Sequence, residues 1–191
     1  MTNTDRNHDY KLSIAFHGLS NRLKNLPCLS RREQTAGIMT IIGLISDTHG
    51  LLRPQALDAL RGSDAILHAG DIGDPAILDR LEEIAPVTAV RGNNDMSDWA
   101  RRIPETADVT IDGVTCHILH DLGLLHLDPV AAGIQVVMSG HSHRPLAKRE
   151  NGVLYINPGS AGPRRFTLPI AVGRLHLRPG EIEAELIELR V

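Results

Sequence analysis

From residue 39 onward the chain alternates short apolar runs with polar turns. TIIGLIS, Thr40 to Ser46, carries no charged side chain, as expected of a buried strand, and ends in the turn Asp47–Gly50. Pro54 then opens PQALDALRG, in which Ala56, Leu57 and Leu60 share one helical face and Gly62 is a stop. AILHAGD repeats the strand-and-turn pattern. Pro75 starts PAILDRLEEI, with Ile77, Leu78, Leu81 and Ile84 at i, i+1, i+4 and i+7. PVTAVRGNND supplies a third strand and its loop. Three strands separated by two helices predict parallel βαβ units with right-handed crossovers.

The second half changes rhythm. VTIDGVTCHILHD reads as a hairpin turned at Asp112-Gly113, IQVVMSGHSH and GVLYINPGS as strands with turns, and IAVGRLHLRPGEIEAELIEL as a hairpin around Pro179-Gly180. Its EIEAELIEL segment alternates glutamates with Ile182, Ala184, Leu186 and Ile187, so it predicts an edge strand with one wet face. A parallel first half and an antiparallel second half predict two packed sheets flanked by helices.

Residues 1–38 do not share this pattern. They begin polar, and up to Gly37 they carry Arg6, Lys11, Arg22, Lys24, Arg31 and Arg32 against Asp5, Asp9 and Glu33. The apolar patch Leu12–Leu19 is broken by Ser13, His17 and Gly18, which is too weak for a signal peptide. The expected organisation is an extension or mis-assigned start over 1–38 and one domain over 39–191.

Composition narrows the functional classes. The 191 residues are 42% hydrophobic and 23% charged, with a formal net charge of −3, which excludes bulk electrostatic binding of nucleic acid. No apolar run reaches the roughly 20 residues that span a bilayer. Cys28 and Cys116 are too few for a disulfide framework, and a cytoplasmic location is the expectation. Ten histidines stand out in a chain whose aromatic content is 3%.

Polar residues collect where strands end: Asp47-Thr48-His49, Gly70-Asp71, Gly92-Asn93-Asn94-Asp95, His120-Asp121 and Gly140-His141-Ser142-His143. In open α/β sheets, ligands bind beyond the carboxyl ends of the strands. Each motif alone reads as an ordinary turn; their order and placement together do not. The ordered set D-x-H, G-D, G-N-x-D, H, G-H-x-H resembles the calcineurin-like metallophosphoesterase superfamily. The strings VRGNND, SGHSHRP and INPGS resemble its small bacterial and archaeal phosphodiesterase subfamily, to which the phosphoesterase-fold subunit of retromer is related. The resemblance covers residues 40–190.

It implies a four-layer α/β/β/α sandwich of two mixed sheets with a two-metal site at the sheet edge. Asp47, His49 and His143 would hold one ion, Asn93, His120 and His141 the other, and Asp71 both. The oxygen and nitrogen donors suit two divalent ions per chain, manganese first, with nickel, cobalt, iron and zinc as alternatives. The implied reaction is hydrolysis of a small phosphoester, a diester in the first instance, by a hydroxide shared between the ions. Asn93, His120 and Asp95 carry the catalytic roles, with Asn93 and Arg91 on the substrate and with His68 and Asp95 supporting the ligands.

Two departures matter. The family often writes His-Gly-His where this chain has His120-Asp121-Leu122, and larger relatives place a proton-donating histidine where Asn94 stands. A weakly active or non-catalytic binding module and a phosphomonoesterase are the alternatives, and a homo-oligomer is left open. His117 and Cys116 read as sheet residues, Trp99 as a loop anchor, and Arg164-Arg165 as bordering either the cleft or a subunit interface.

Overall fold

A computed structural model describes residues 39–191. The expected extension over 1–38 lies outside the described residues, as do Cys28, His8 and His17. Two five-stranded mixed sheets pack face to face. The first sheet contains β1 (Thr40–Ile45), β2 (Ala65–His68), β3 (Val87–Ala89), β9 (Ala171–Arg178) and β10 (Glu181–Glu188), in the order β10-β9-β1-β2-β3. The second contains β4 (Thr106–Ile111), β5 (Val114–Leu119), β6 (Val136–Met138), β7 (Leu146–Glu150) and β8 (Val153–Asn157), in the order β4-β5-β6-β8-β7.

The βαβ reading holds: β1, β2 and β3 pair in parallel through α1 (Pro54–Leu60) and α2 (Ala76–Glu82). The second half is not purely antiparallel. β5, β6 and β8 run parallel, while the C-terminal hairpin leaves the second sheet and completes the first through an antiparallel β1–β9 ladder. Local periodicity cannot reveal this, because sheet membership is decided by non-local pairing. β7, sequence LAKRE, is a strand that periodicity does not predict; every residue in it is exposed, and only its ladder to β8 defines it.

Period-2 geometry sorts the side chains into layers. Ile42, Leu44, Cys116, Ile118, Val136, Met138, Leu154, Ile156, Leu175 and Leu177 fill the space between the sheets. Each such aliphatic side chain contributes roughly 1.5–3 kcal/mol by leaving water. Ile45, Ile66 and Val172 point the other way, under Ala56 and Leu60 of α1 and Ile77 and Leu81 of α2. The outer face of the second sheet, with Leu119, Val137 and Val153, is covered by Leu122, Leu125 and Ile134 from the segment after β5. β10 is an edge strand as expected, its glutamates exposed and Ile182, Ala184 and Leu186 half-buried against the core. No helix among the described residues is long and apolar enough to cross a membrane.

The topology positions the site. The carboxyl ends of β1, β2, β3, β5 and β6 all open at one end of the sandwich. The loops after β1 and β2 continue as a ladder: Asp47 N donates to Gly70 O at 3.0 Å, His49 N to Asp71 O at 2.8 Å and Gly50 N to Ile72 O at 2.8 Å. Gly140 N donates to His120 O at 2.9 Å, joining the loops after β5 and β6.

Candidate metal centre

Seven side chains anticipated from sequence meet at this end. Five of them, Asp47, His49, Asp71, His141 and His143, have left-handed backbone, with φ between 47° and 64°. Only three other non-glycine residues among those described do so. Such conformations cost about 1–3 kcal/mol each and persist only where the surroundings impose them. The main-chain ladder above does so here.

The donor atoms fall into two groups. Asp47, His49 and His143 bring ligand atoms within 4.8 Å of one another, as do Asp47, Asp71 and His120. His49 Nε2 stands 3.3 Å from His143 Nε2 and 3.7 Å from Asp71 Oδ2. His120 Nε2 lies 3.3 Å from Asp71 Oδ2 and 3.1 Å from Asn93 Oδ1, and His141 Nδ1 is 3.0 Å from the same Asn93 oxygen. Asp71 Oδ2 therefore sits between His49 of one half and His120 of the other. Asp47 is the carboxylate common to both groups.

The groups suit a cation on physical grounds. His120 Nδ1 lies 2.7 Å from Ala69 O; with its proton donated there, Nε2 of the neutral ring can ligate a cation held between it and the oxygens of Asp71 and Asn93. Asp47 Oδ1 is buried without a hydrogen-bond partner, although His143 Nε2 stands 3.2 Å away, and His143 Nδ1 is also unpartnered. A buried carboxylate oxygen without a partner is costly, and a divalent ion held between Asp47 Oδ1 and His143 Nε2 would remove that cost. The set contains nitrogen and oxygen donors and no sulfur, as first-row divalent ions prefer when the ligands are imidazole and carboxylate.

Protonation follows the same geometry. Burial opposes charge on the Asp71 carboxyl, yet hydrogen bonds from His120 and from both the backbone and side chain of Asn94 hold it well below the usual carboxylate range. Burial likewise opposes charge on His120, but Asp71 and the Ala69 carbonyl lift its pKa. Burial pushes His49 down, against the opposing pull of the Asp71 and Asp47 carboxylates. His68, fully buried, is pushed down to about 4 by desolvation and stays neutral. Its Nδ1 accepts from Gly70 N at 3.2 Å, so Nε2–H donates to Thr48 Oγ1 at 3.1 Å, and that hydroxyl donates to Ile72 O at 2.9 Å. His68 thus ties the loops together from behind.

Asp95 does not reach a histidine. Its oxygens accept from the backbone amides of Ile72, Gly73 and Gly92 at 2.8–3.0 Å, clamping the Asp71 loop to the Asn93 loop. Arg91, two residues before Asn93, pairs with Glu105 at 2.5 Å. Asp121 caps its own turn through Gly123 N at 2.9 Å, with Oδ2 3.9 Å from His141 Nε2. Trp99 packs half-buried on the helix side of the first sheet, His117 is buried against Asp108 at 2.7 Å, and His126 is exposed.

Sequence reasoning missed two residues. Asn94, considered only as an absent proton donor, holds both Asp71 oxygens, from its backbone N at 2.8 Å and its Nδ2 at 2.6 Å. Ser46 Oγ donates to Asp47 Oδ2 at 2.5 Å, and His141 N adds 3.1 Å to the same oxygen. Asn94→Ala is expected to weaken divalent-ion affinity about 10–100-fold, the range for a lost ligand-orienting hydrogen bond, with little change in Tm. A metal titration of the variant checks this; unchanged affinity refutes the orienting role.

A model of the calcineurin-like phosphoesterase superfamily domain matches residues 39–180. A protein of Methanothermobacter thermautotrophicus named "probable metallophosphoesterase" is 35% identical over 159 residues, 77% of this chain and 91% of the relative. A phosphodiesterase of Methanocaldococcus jannaschii is 28% identical over 137 residues, 62% of this chain and 82% of the relative. Among solved structures, Vacuolar Protein Sorting 29 of Cryptosporidium parvum shares the fold at a TM-score of 0.65 and 18% identity, over 81% of this chain and 100% of that one. The extent of the family match and the identity to the Methanothermobacter protein settle the assignment: the chain belongs to the calcineurin-like phosphoesterase superfamily.

Proposed function

We propose that the chain is a divalent-metal-dependent phosphodiesterase acting on small phosphoesters. The observation that carries this reading is the double set of converging donors, with Asp71 Oδ2 3.7 Å from His49 Nε2 and 3.3 Å from His120 Nε2. Asp47, His49 and His143 would hold one ion, Asn93, His120 and His141 a second, and Asp71 is placed to contribute to either. When bound, the ions supply Lewis acidity toward phosphoryl oxygens and acidify water enough to make a nucleophile near neutral pH.

The protein's own groups then have distinct tasks. The Asp47 half is the more enclosed, with Asp47 fully buried, His143 nearly so and His49 partly exposed, whereas Asn93 is exposed and the His141 side chain is 47% accessible. Substrate therefore approaches over Asn93 and His141. Asn94 and Ser46 fix the two carboxylates, Asp95 and His68 fix the loops, and Arg91, two residues before Asn93, would have to release Glu105 to bind a phosphoryl oxygen. Among the described residues, no side chain at the site is an evident proton donor to the leaving group. Diesters with a good leaving group should therefore react fastest. The diester preference is also supported by the relationship to the Methanocaldococcus phosphodiesterase.

The test is hydrolysis of bis(p-nitrophenyl) phosphate and p-nitrophenyl phosphate with manganese, nickel, cobalt, iron(II) or zinc, using His120→Ala as the control. Metal-dependent turnover favouring the diester, lost in His120→Ala, is expected. Preference for the monoester supports a phosphomonoesterase. Absence of turnover with every metal refutes the enzyme reading in favour of a binding module.

A further inference from the structure

The loop at residues 160–169 is rooted in the candidate metal centre and ends in a tip for which the site described above has no use. Ser160 Oγ donates to Asp47 O at 2.9 Å, Ala161 N to Ser46 O at 3.0 Å and Gly162 N to Asp47 O at 3.2 Å. The approach at Gly162 is so close that a Cβ there would lie 2.2 Å from Thr48 O, and Arg53 Nε donates to Gly162 O at 3.3 Å from the other side. The root cannot shift without moving Asp47.

Beyond it come Pro163, Arg164, Arg165 and Phe166, all exposed. The tip is an ordered turn, closed by Leu168 N to Arg165 O at 3.1 Å and Arg164 Nη1 to Leu168 O at 3.4 Å. Every lysine or arginine ion pair among the described residues lies elsewhere, so the two guanidiniums meet no carboxylate. Phe166 is 91% exposed and has φ +53°, a left-handed conformation that a bulky side chain rarely adopts. A single exposed apolar residue is ordinary. A strained, fully exposed ring next to two unpaired guanidiniums on a loop fixed to the site is a different matter. Strain of this kind clusters at ligand clamps.

We infer that the Arg165–Phe166 tip is a substrate grip on the His49 side, Arg165 holding a phosphoryl oxygen and Phe166 stacking on a planar ring carried by the ester, so that the substrate class is a nucleotide-like phosphoester. A guanidinium beside an aromatic face matches that chemistry, because every nucleobase offers a π-face whatever its sequence. This inference rests on the phosphoesterase reading for the reaction, but the grip can be measured without turnover.

The full chain, metal-free and zinc-loaded, is titrated calorimetrically with thymidine 5′-monophosphate and with ribose 5-phosphate, which has the phosphate and no base. The expected result is about tenfold tighter binding of the nucleotide, the effect of one stacked base. Phe166→Ala should abolish that preference, and Arg165→Ala should weaken both ligands alike. Equal affinities in the unmodified protein, no binding of either ligand, or a preference that survives Phe166→Ala overturns the inference. Hydrolysis of methyl p-nitrophenyl phosphate, measured in parallel, tests the enzyme reading separately: turnover without base preference sinks the grip alone, and base preference without turnover sinks the enzyme reading alone.

Discussion

Asp71→Asn is expected to lower kcat on the order of 10³-fold while leaving the fold intact, because the change removes one charge and keeps the shape. Asp71 Oδ2 is the atom between the two halves of the centre, 3.3 Å from His120 Nε2 and 3.7 Å from His49 Nε2. An amide has a single acceptor oxygen. If that oxygen keeps the Asn94 Nδ2 bond, now 2.6 Å, the NH₂ takes the place of Oδ1 and meets the Asn94 backbone N–H, donor against donor. If the amide turns over, the NH₂ faces the imidazoles and repels any cation there. The first orientation breaks the hold of Asn94 N on the side chain and the second removes the ligand oxygen, so metal content should fall below that of the unmodified protein. Steady-state kinetics with metal analysis of the purified variant decides it; activity within tenfold of the parent at equal metal content would refute a role for Asp71 across both halves.

The candidate centre was far more legible in the sequence than the sheets around it. Asp47, His49, Asp71, Asn93, His120, His141 and His143 each lie in the segment that follows a strand, and parallel strands deliver their carboxyl ends to one place. Order along the chain therefore encoded proximity in space. β7 was invisible because LAKRE lacks alternation, and the place of the C-terminal hairpin in the first sheet was invisible because β9 pairs with a strand 130 residues earlier in the chain. Asn94 shows a subtler limit. Its type and neighbours predict only a turn residue, and its hold on Asp71 arises because the loops after β2 and β3 lie side by side. The role expected of Asp95 was support of a ligand; the structure gives it three backbone amides instead. Both act through neighbours that local sequence does not name.

Gly92→Ala is expected to cost activity out of proportion to its size. Gly92-Asn93 reads in the sequence as a turn dipeptide, a position where glycine would serve left-handed backbone. Yet Gly92 is absent from the residues with positive φ, so conformational freedom is not what the position requires. It requires room. A Cβ would stand 2.1 Å from Asp71 Oδ1 and 2.3 Å from Asp71 N, and neither is the end of a flexible chain. Asp71 Oδ1 is held by Asn94 N, while Gly92 N is held by Asp95 Oδ2 at 2.8 Å, so the clash cannot be relieved on one side alone. The methyl group must drive the Asp71 loop and the Asn93 loop apart, and those loops carry ligands of both halves. A displacement near 1 Å in such a constellation costs about 10²-fold in rate, whereas overpacking of this kind costs about 1–3 kcal/mol in stability. The variant should therefore remain folded by circular dichroism, with a modestly lowered Tm, and lose about two orders of magnitude in kcat/KM together with divalent-ion affinity. Parent-like kcat/KM would mean that the two loops are not coupled through this contact, and that the spacing between Asp71 and Asn93 tolerates more than their packing implies.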